Sequence, residues 1–93
     1  MNRTACSPAN SVLEGDLEIA VQKQTLKKLV IAETPEGFYV IVQFKWAGHK
    51  EWYLTTRRER NKPRLFKDLK RLNTHLKVFY PTDSVEIIRN QVF

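Results

Sequence analysis

Positive charge is gathered into one short stretch of this chain. Between Arg57 and Arg71 stand eight basic residues, Arg57, Arg58, Arg60, Lys62, Arg64, Lys67, Lys70 and Arg71, against two acids, Glu59 and Asp68. That window sums to +6, the formal net charge of all 93 residues, so the rest of the chain is electrically neutral. Arginine dominates its first half, and the planar guanidinium fork suits phosphate oxygens and guanine edges. Thr55, Thr56 and Asn61 add neutral hydrogen-bonding groups of the kind that contact a sugar-phosphate backbone. The chemistry expected of this stretch is the binding of phosphates. The plain alternative is a solvated loop followed by an ordinary polar helix face.

Other chemistry-bearing residues converge less. His49 falls in a turn and His75 in a helix, where Asp68, Arg71 and His75 follow one another along one side and read as an exposed polar face. Two separated histidines and one cysteine, Cys6, do not make the three or four converging ligands a metal requires. No Ser-His-Asp order, paired carboxylates or phosphate-cradling glycine loop is apparent, and the chain has three glycines. No enzyme activity, cofactor or small-molecule substrate is expected.

The elements that position the basic stretch follow from periodicity. Leu65, Leu69, Leu72, Leu76 and Phe79 recur at helical spacing, predicting an amphipathic helix over about Lys67–Phe79 that ends near Tyr80, before Pro81. Upstream, Thr34-Pro35-Glu36-Gly37 reads as a tight turn between two strands. Leu26–Glu33 is apolar and β-branched. From Phe38 to Trp46 the chain alternates, with Phe38, Val40, Val42, Phe44 and Trp46 on one face and Tyr39, Ile41, Gln43 and Lys45 on the other. A third strand is predicted over Glu51–Arg57, with Trp46 and Trp52 as partners across the intervening turn. A short edge strand at Arg64–Phe66 or a lead-in to the helix follows. Val85–Arg89 reads as a last strand, with Val85 and Ile87 on one face.

Residues 1–11 show no structural period and are expected to form a mobile arm, leaving 12–93 as a single domain. For 12–24 two readings stand. Ser11–Glu14 can open a short helix as a capping box, whereas Leu17, Ile19 and Val21 also alternate as a strand would. The expected architecture is α+β: an antiparallel meander of three to four strands, one amphipathic helix packed on the sheet, and a final strand. The leucine stripe is expected to pack on the Phe38–Trp46 face. On the opposite face Tyr39 and Tyr53 either stack unpaired bases or lie beneath the N-terminal segment or a second subunit.

Composition bounds the rest. With 42 % apolar, 28 % charged and 11 % aromatic residues the chain is globular in type. A lone cysteine, no secretory apolar segment and no membrane-length apolar run predict a cytoplasmic protein without a membrane partner.

The phrases Trp52-Tyr-Leu-Thr-Thr-Arg57, Pro63-Arg-Leu-Phe66 and Leu69-Lys-Arg-Leu72 resemble small accessory proteins carried on bacterial plasmids and integrating elements. Those proteins have a W-x-L-x-T-x-R strand, then R-x-F and a leucine-striped helix. The resemblance covers about a quarter of the chain and is largely structural. It implies a bacterial origin, the strand–loop–helix join and a role near DNA maintenance, with no catalytic residues to carry over. The functional expectation is a non-enzymatic nucleic-acid-binding accessory or regulatory protein, with DNA ahead of RNA and a homodimer as a second expectation. The alternatives are a dimeric protein-interaction module with an acidic partner, and a small basic ribonuclease of the toxin kind. The last would need a histidine brought near Arg and Tyr.

Overall fold

In the computed structural model, which describes residues 4–82 and 84–89, a five-stranded sheet carries two helices on one face. The elements in chain order are β1 (Ser11–Val12), α1 (Glu14–Gln22), β2 (Leu26–Thr34), β3 (Gly37–Phe44), β4 (Trp52–Leu54), α2 (Leu69–Phe79) and β5 (Glu86–Ile88). The spatial order is β1-β4-β3-β2-β5. The expected meander is present as β2-β3-β4, paired antiparallel. The sheet as a whole is mixed, because β1 joins β4 and β5 joins β2 in parallel. An all-antiparallel sheet is therefore corrected. Parallel neighbours require a crossover, and α1 and α2 supply it, returning the chain over the sheet each time.

Local chemistry accounts for the elements. In the β2-β3 hairpin the Thr34 hydroxyl accepts from the backbone N–H groups of Glu36 (3.2 Å) and Gly37 (3.1 Å) and donates to the Gly37 carbonyl (2.9 Å). Gly37 has φ +153°, and a Cβ there would stand 2.7 Å from the carbonyl oxygen of Phe66, so a side chain is excluded on both counts. α1 begins at Glu14, one residue after Leu13, rather than at Ser11. The expected capping box gives way because Ser11 is a strand residue, paired with Tyr53. α1 closes with the Thr25 N–H donating to the Ala20 carbonyl at 2.9 Å around Gln24, whose φ is +58°. α2 is capped by Asp68, whose carboxylate accepts from the backbone N–H groups of Lys70 (2.8 Å) and Arg71 (3.3 Å).

Two apolar clusters sandwich the sheet. On the helix face Leu17 and Ala20 of α1 and Leu72 and Leu76 of α2 meet Leu29, Ile31, Val40, Val42, Phe44 and Leu54. The leucine stripe thus packs on the Phe38–Phe44 face as its period predicts. Its ends are corrected: Leu65 is exposed and precedes the helix, Phe79 is exposed, and Tyr80 is the buried residue that closes the stripe. Trp46 leaves the strand, in a single turn of 3-10 helix at Lys45–Ala47, and is mostly exposed, with its ring still stacked on Phe44 and beside its predicted partner Trp52.

On the other face lie Val30, Ala32, Tyr39, Ile41 and Tyr53, with Cys6 and Ile88 packed against them. Residues 4–10, within the segment read as an arm, lie against this part of the molecule. The Tyr53 hydroxyl donates to the Thr4 carbonyl at 2.6 Å, and Pro8–Asn10 forms a 3-10 turn. Tyr39 and Tyr53 are therefore buried, not a stacking surface, as expected if the N-terminal segment covers them. In β5 Ile88 packs inward, while Val85 and Ile87, read as sharing one face, are exposed together.

Candidate nucleic-acid interface

The basic stretch is a loop that leaves and re-enters the sheet at one point. It departs from Leu54, and the Thr55 N–H donates to the Val12 carbonyl at 3.0 Å. It returns where the Arg64 N–H donates to the Leu54 carbonyl at 2.8 Å. Immediately afterwards Phe66 bridges Phe38, each N–H donating to the other's carbonyl at 2.7 Å. Of the two readings for Arg64–Phe66, no edge strand forms: the segment leads into α2 with one backbone contact to β4 and an isolated bridge to β3, and β4 is shorter than the predicted Glu51–Arg57. This closure holds the loop and the first turn of α2 at the same end of the sheet.

The eight predicted residues divide into two groups. Arg57, Arg58, Lys62, Lys67, Lys70 and Arg71 are exposed. Among the described residues no ion pair or side-chain hydrogen bond engages them. Arg60 and Arg64 are half-buried and have structural partners. The Arg60 Nε donates to the Ser11 hydroxyl at 2.8 Å and its Nη2 to the Ser11 carbonyl at 3.5 Å. The Cys6 thiol contacts the Arg60 carbonyl at 3.6 Å, so the N-terminal segment grips the loop at its midpoint. Burial, with the charge of Glu59 added, pushes that thiol's pKa up, which makes it a poor nucleophile.

Arg64 belongs to a cluster the sequence did not reveal. Its Nη1 lies 3.5 Å from Glu14 Oε2, and its guanidinium sits 4.7 Å from the centre of the Phe66 ring. The other carboxylate oxygen, Oε1, lies 2.7 Å from His75 Nε2, a contact more electrostatic than well-aligned hydrogen bond. Tyr80 is buried beside them, and His75 is ringed by Phe66, Phe79 and Tyr80. Burial raises the Glu14 pKa, but the Tyr80 hydroxyl, His75 and Arg64 outweigh it and hold the carboxyl below its ordinary value. Burial first, and then the neighbouring Glu14, drive the Tyr80 phenol strongly upward. The cluster ties the start of α1 to α2 and to the end of the basic loop.

The expected Asp68–Arg71–His75 face does not assemble. Asp68 turns to cap α2, Arg71 is exposed, and His75 faces Glu14. Nothing in the sequence signals Glu14 or Tyr80 as members of one site, since 65 positions separate them. Among the described residues no three His, Cys, Asp or Glu side chains are grouped to hold a metal ion, and no helix is long and apolar enough to cross a membrane. No protein-family model, curated protein or solved structure matches this chain.

Proposed function

We propose that this chain is a non-enzymatic nucleic-acid-binding accessory or regulatory protein of a bacterial mobile element, with DNA ahead of RNA as its target. The observation that carries the reading is the closure of the basic loop. By returning to its point of departure the stretch brings six exposed cations, with its own acids Glu59 and Asp68, to one end of the sheet, where the β2-β3 turn adds the exposed Glu36 and the cations still outnumber these acids. Asp68 is occupied with two backbone N–H groups, and the dipole of α2 adds positive potential to the end that carries Lys70 and Arg71. Arg57, Arg58, Lys62 and Lys67 would neutralise phosphates with them, while Arg60 and Arg64 hold the loop in shape. Retardation of duplex DNA at low salt tests this. An acidic protein partner is the competing outcome, and a complex with such a protein that is indifferent to polynucleotide competitor would replace the proposal.

A second reading rests on the Glu14–His75–Arg64–Tyr80 cluster, which groups the histidine, arginine and tyrosine that a small basic ribonuclease would need. Glu14 Oε1 faces His75 of α2 and Oε2 faces Arg64 of the loop, so the carboxylate is engaged in tying α1 to both, which favours the structural role. RNA incubated with the purified chain should stay intact. Cleavage that disappears in His75→Gln would move the assignment to this second reading.

A further inference from the structure

At the end of β4 opposite the basic loop, a tryptophan is held flat with one face outward. Trp46 is 67 % exposed although its ring stacks on Phe44, with centroids 5.2 Å apart and planes 9° from parallel. Phe44 is itself buried, so one indole face is covered and the other is open to solvent. Trp52 braces the ring from the side, with centroids 5.9 Å apart and planes inclined by 58°. The backbone is fixed as well. Trp46 lies in a single 3-10 turn closed by Gly48 at φ +61°, and the Lys45 N–H donates to the Thr25 carbonyl at 2.8 Å.

Three lysines lie along the turn that carries this ring. Lys45 precedes it and is exposed. Lys27 reaches the same turn, its Nζ donating to the Gly48 carbonyl at 3.3 Å, and the Lys50 Nζ donates to the Ala9 carbonyl at 3.1 Å while lying 4.0 Å from the centre of a Trp52 ring. A groove of about 660 Å³ is lined by Lys45, Lys27, Lys28 and Glu86, the last two paired at 2.7 Å.

A flat, open π-face on a turn that carries lysines matches a nucleobase and its flanking phosphates. The area argues against a second copy of this chain: a tryptophan buries about 150–250 Å², whereas a stable interface takes about 800 Å² from each partner. A base within a duplex keeps both faces stacked on its neighbours, so only an unpaired base is available to the ring. We infer that Trp46 is a stacking platform for an unpaired nucleobase, with Lys27, Lys45 and Lys50 as its phosphate contacts. It follows that the chain binds single-stranded nucleic acid at this end. This deepens the nucleic-acid reading without using the loop that carries it. By the chain's reach, Trp52 and Arg57 are at most about 18 Å apart, so one flexible strand can contact both ends.

The test is a titration of the full chain with a short oligothymidylate, a short oligouridylate and a duplex of the same length. The Trp52→Phe background makes the emission report Trp46 alone. Either single strand should quench that emission. Trp46→Ala should weaken single-strand binding by about 5- to 150-fold, the range measured for aromatic–base stacking, while Trp46→Phe keeps part of the affinity and duplex binding is unchanged. Trp46 is mostly exposed, so both variants should melt as the parent does. Single-strand affinity untouched by Trp46→Ala, or binding without quenching, overturns the platform and leaves the loop reading standing. Equal loss on duplex overturns it too. Quenching by a single strand with no duplex binding supports the platform and sinks the loop reading, and absence of any binding sinks both.

Discussion

At the scale of single residues, glycines and one carboxylate give the sharpest expectations. Gly15 lies in α1 with open space where a Cβ would stand, so Gly15→Ala should stabilise the fold by about 0.5 kcal/mol, read from the denaturant midpoint. Gly37→Ala should do the opposite, by about 1–3 kcal/mol, because positive φ and the approach to the Phe66 carbonyl both exclude a side chain. The Glu14 cluster predicts how stability varies with pH. The folded-state pKa of Glu14 is depressed, so its contribution is present above the ordinary value of 4.5 and is lost as pH falls below it. The pKa of Tyr80 is raised, so its contribution is present below the ordinary value of 10.0 and is lost as pH rises beyond it. Urea midpoints across pH should show both limbs. Glu14→Gln should flatten the acid limb and Tyr80→Phe the alkaline one; curves parallel to wild type would contradict the cluster. Little of this cluster was visible beforehand, because its members come from α1, the basic loop and α2. Charge in one window, by contrast, can be counted without a fold.

At the scale of elements, periodicity did most of the work. Val40, Val42 and Phe44 face Leu72 and Leu76 because strand and helix each repeat their apolar residues at their own period. Leu72→Ala should cost about 2–5 kcal/mol in a thermal or chemical melt. Leu69, only partly buried, should cost less. The parallel edges were out of reach for a physical reason. A two-residue strand such as β1 carries no period, and its pairing with β4 depends on a segment some forty residues away. Proximity along the chain favours hairpins, so a reader of sequence joins neighbours and sees a meander. Asp68 offers a test at this scale that separates its cap from its charge. Asp68→Ala should lose about 1 kcal/mol of stability. Asp68→Asn should keep most of it while removing a negative charge from the patch, so affinity for nucleic acid should rise.

For the whole molecule, the account is one of division. The helix face and the segment beneath the sheet bury the aromatic residues that would otherwise offer themselves to bases, Tyr39 and Tyr53 among them. Charge is left at the loop end and an open indole at the other. Arg60 and Arg64, engaged by Ser11 and Glu14, belong to the scaffold of that division rather than to its surface. The measurement that tests this most directly is the salt dependence of duplex DNA binding. With about five phosphates contacted, the logarithm of affinity should fall against the logarithm of salt concentration with a slope near −4.5. The triple variant Arg57→Gln, Arg58→Gln, Lys62→Gln should melt like wild type yet make the slope shallower by about 2 to 3. No retardation of DNA at low salt, or a slope that the triple variant leaves unchanged, would contradict the assignment of this loop to phosphate binding.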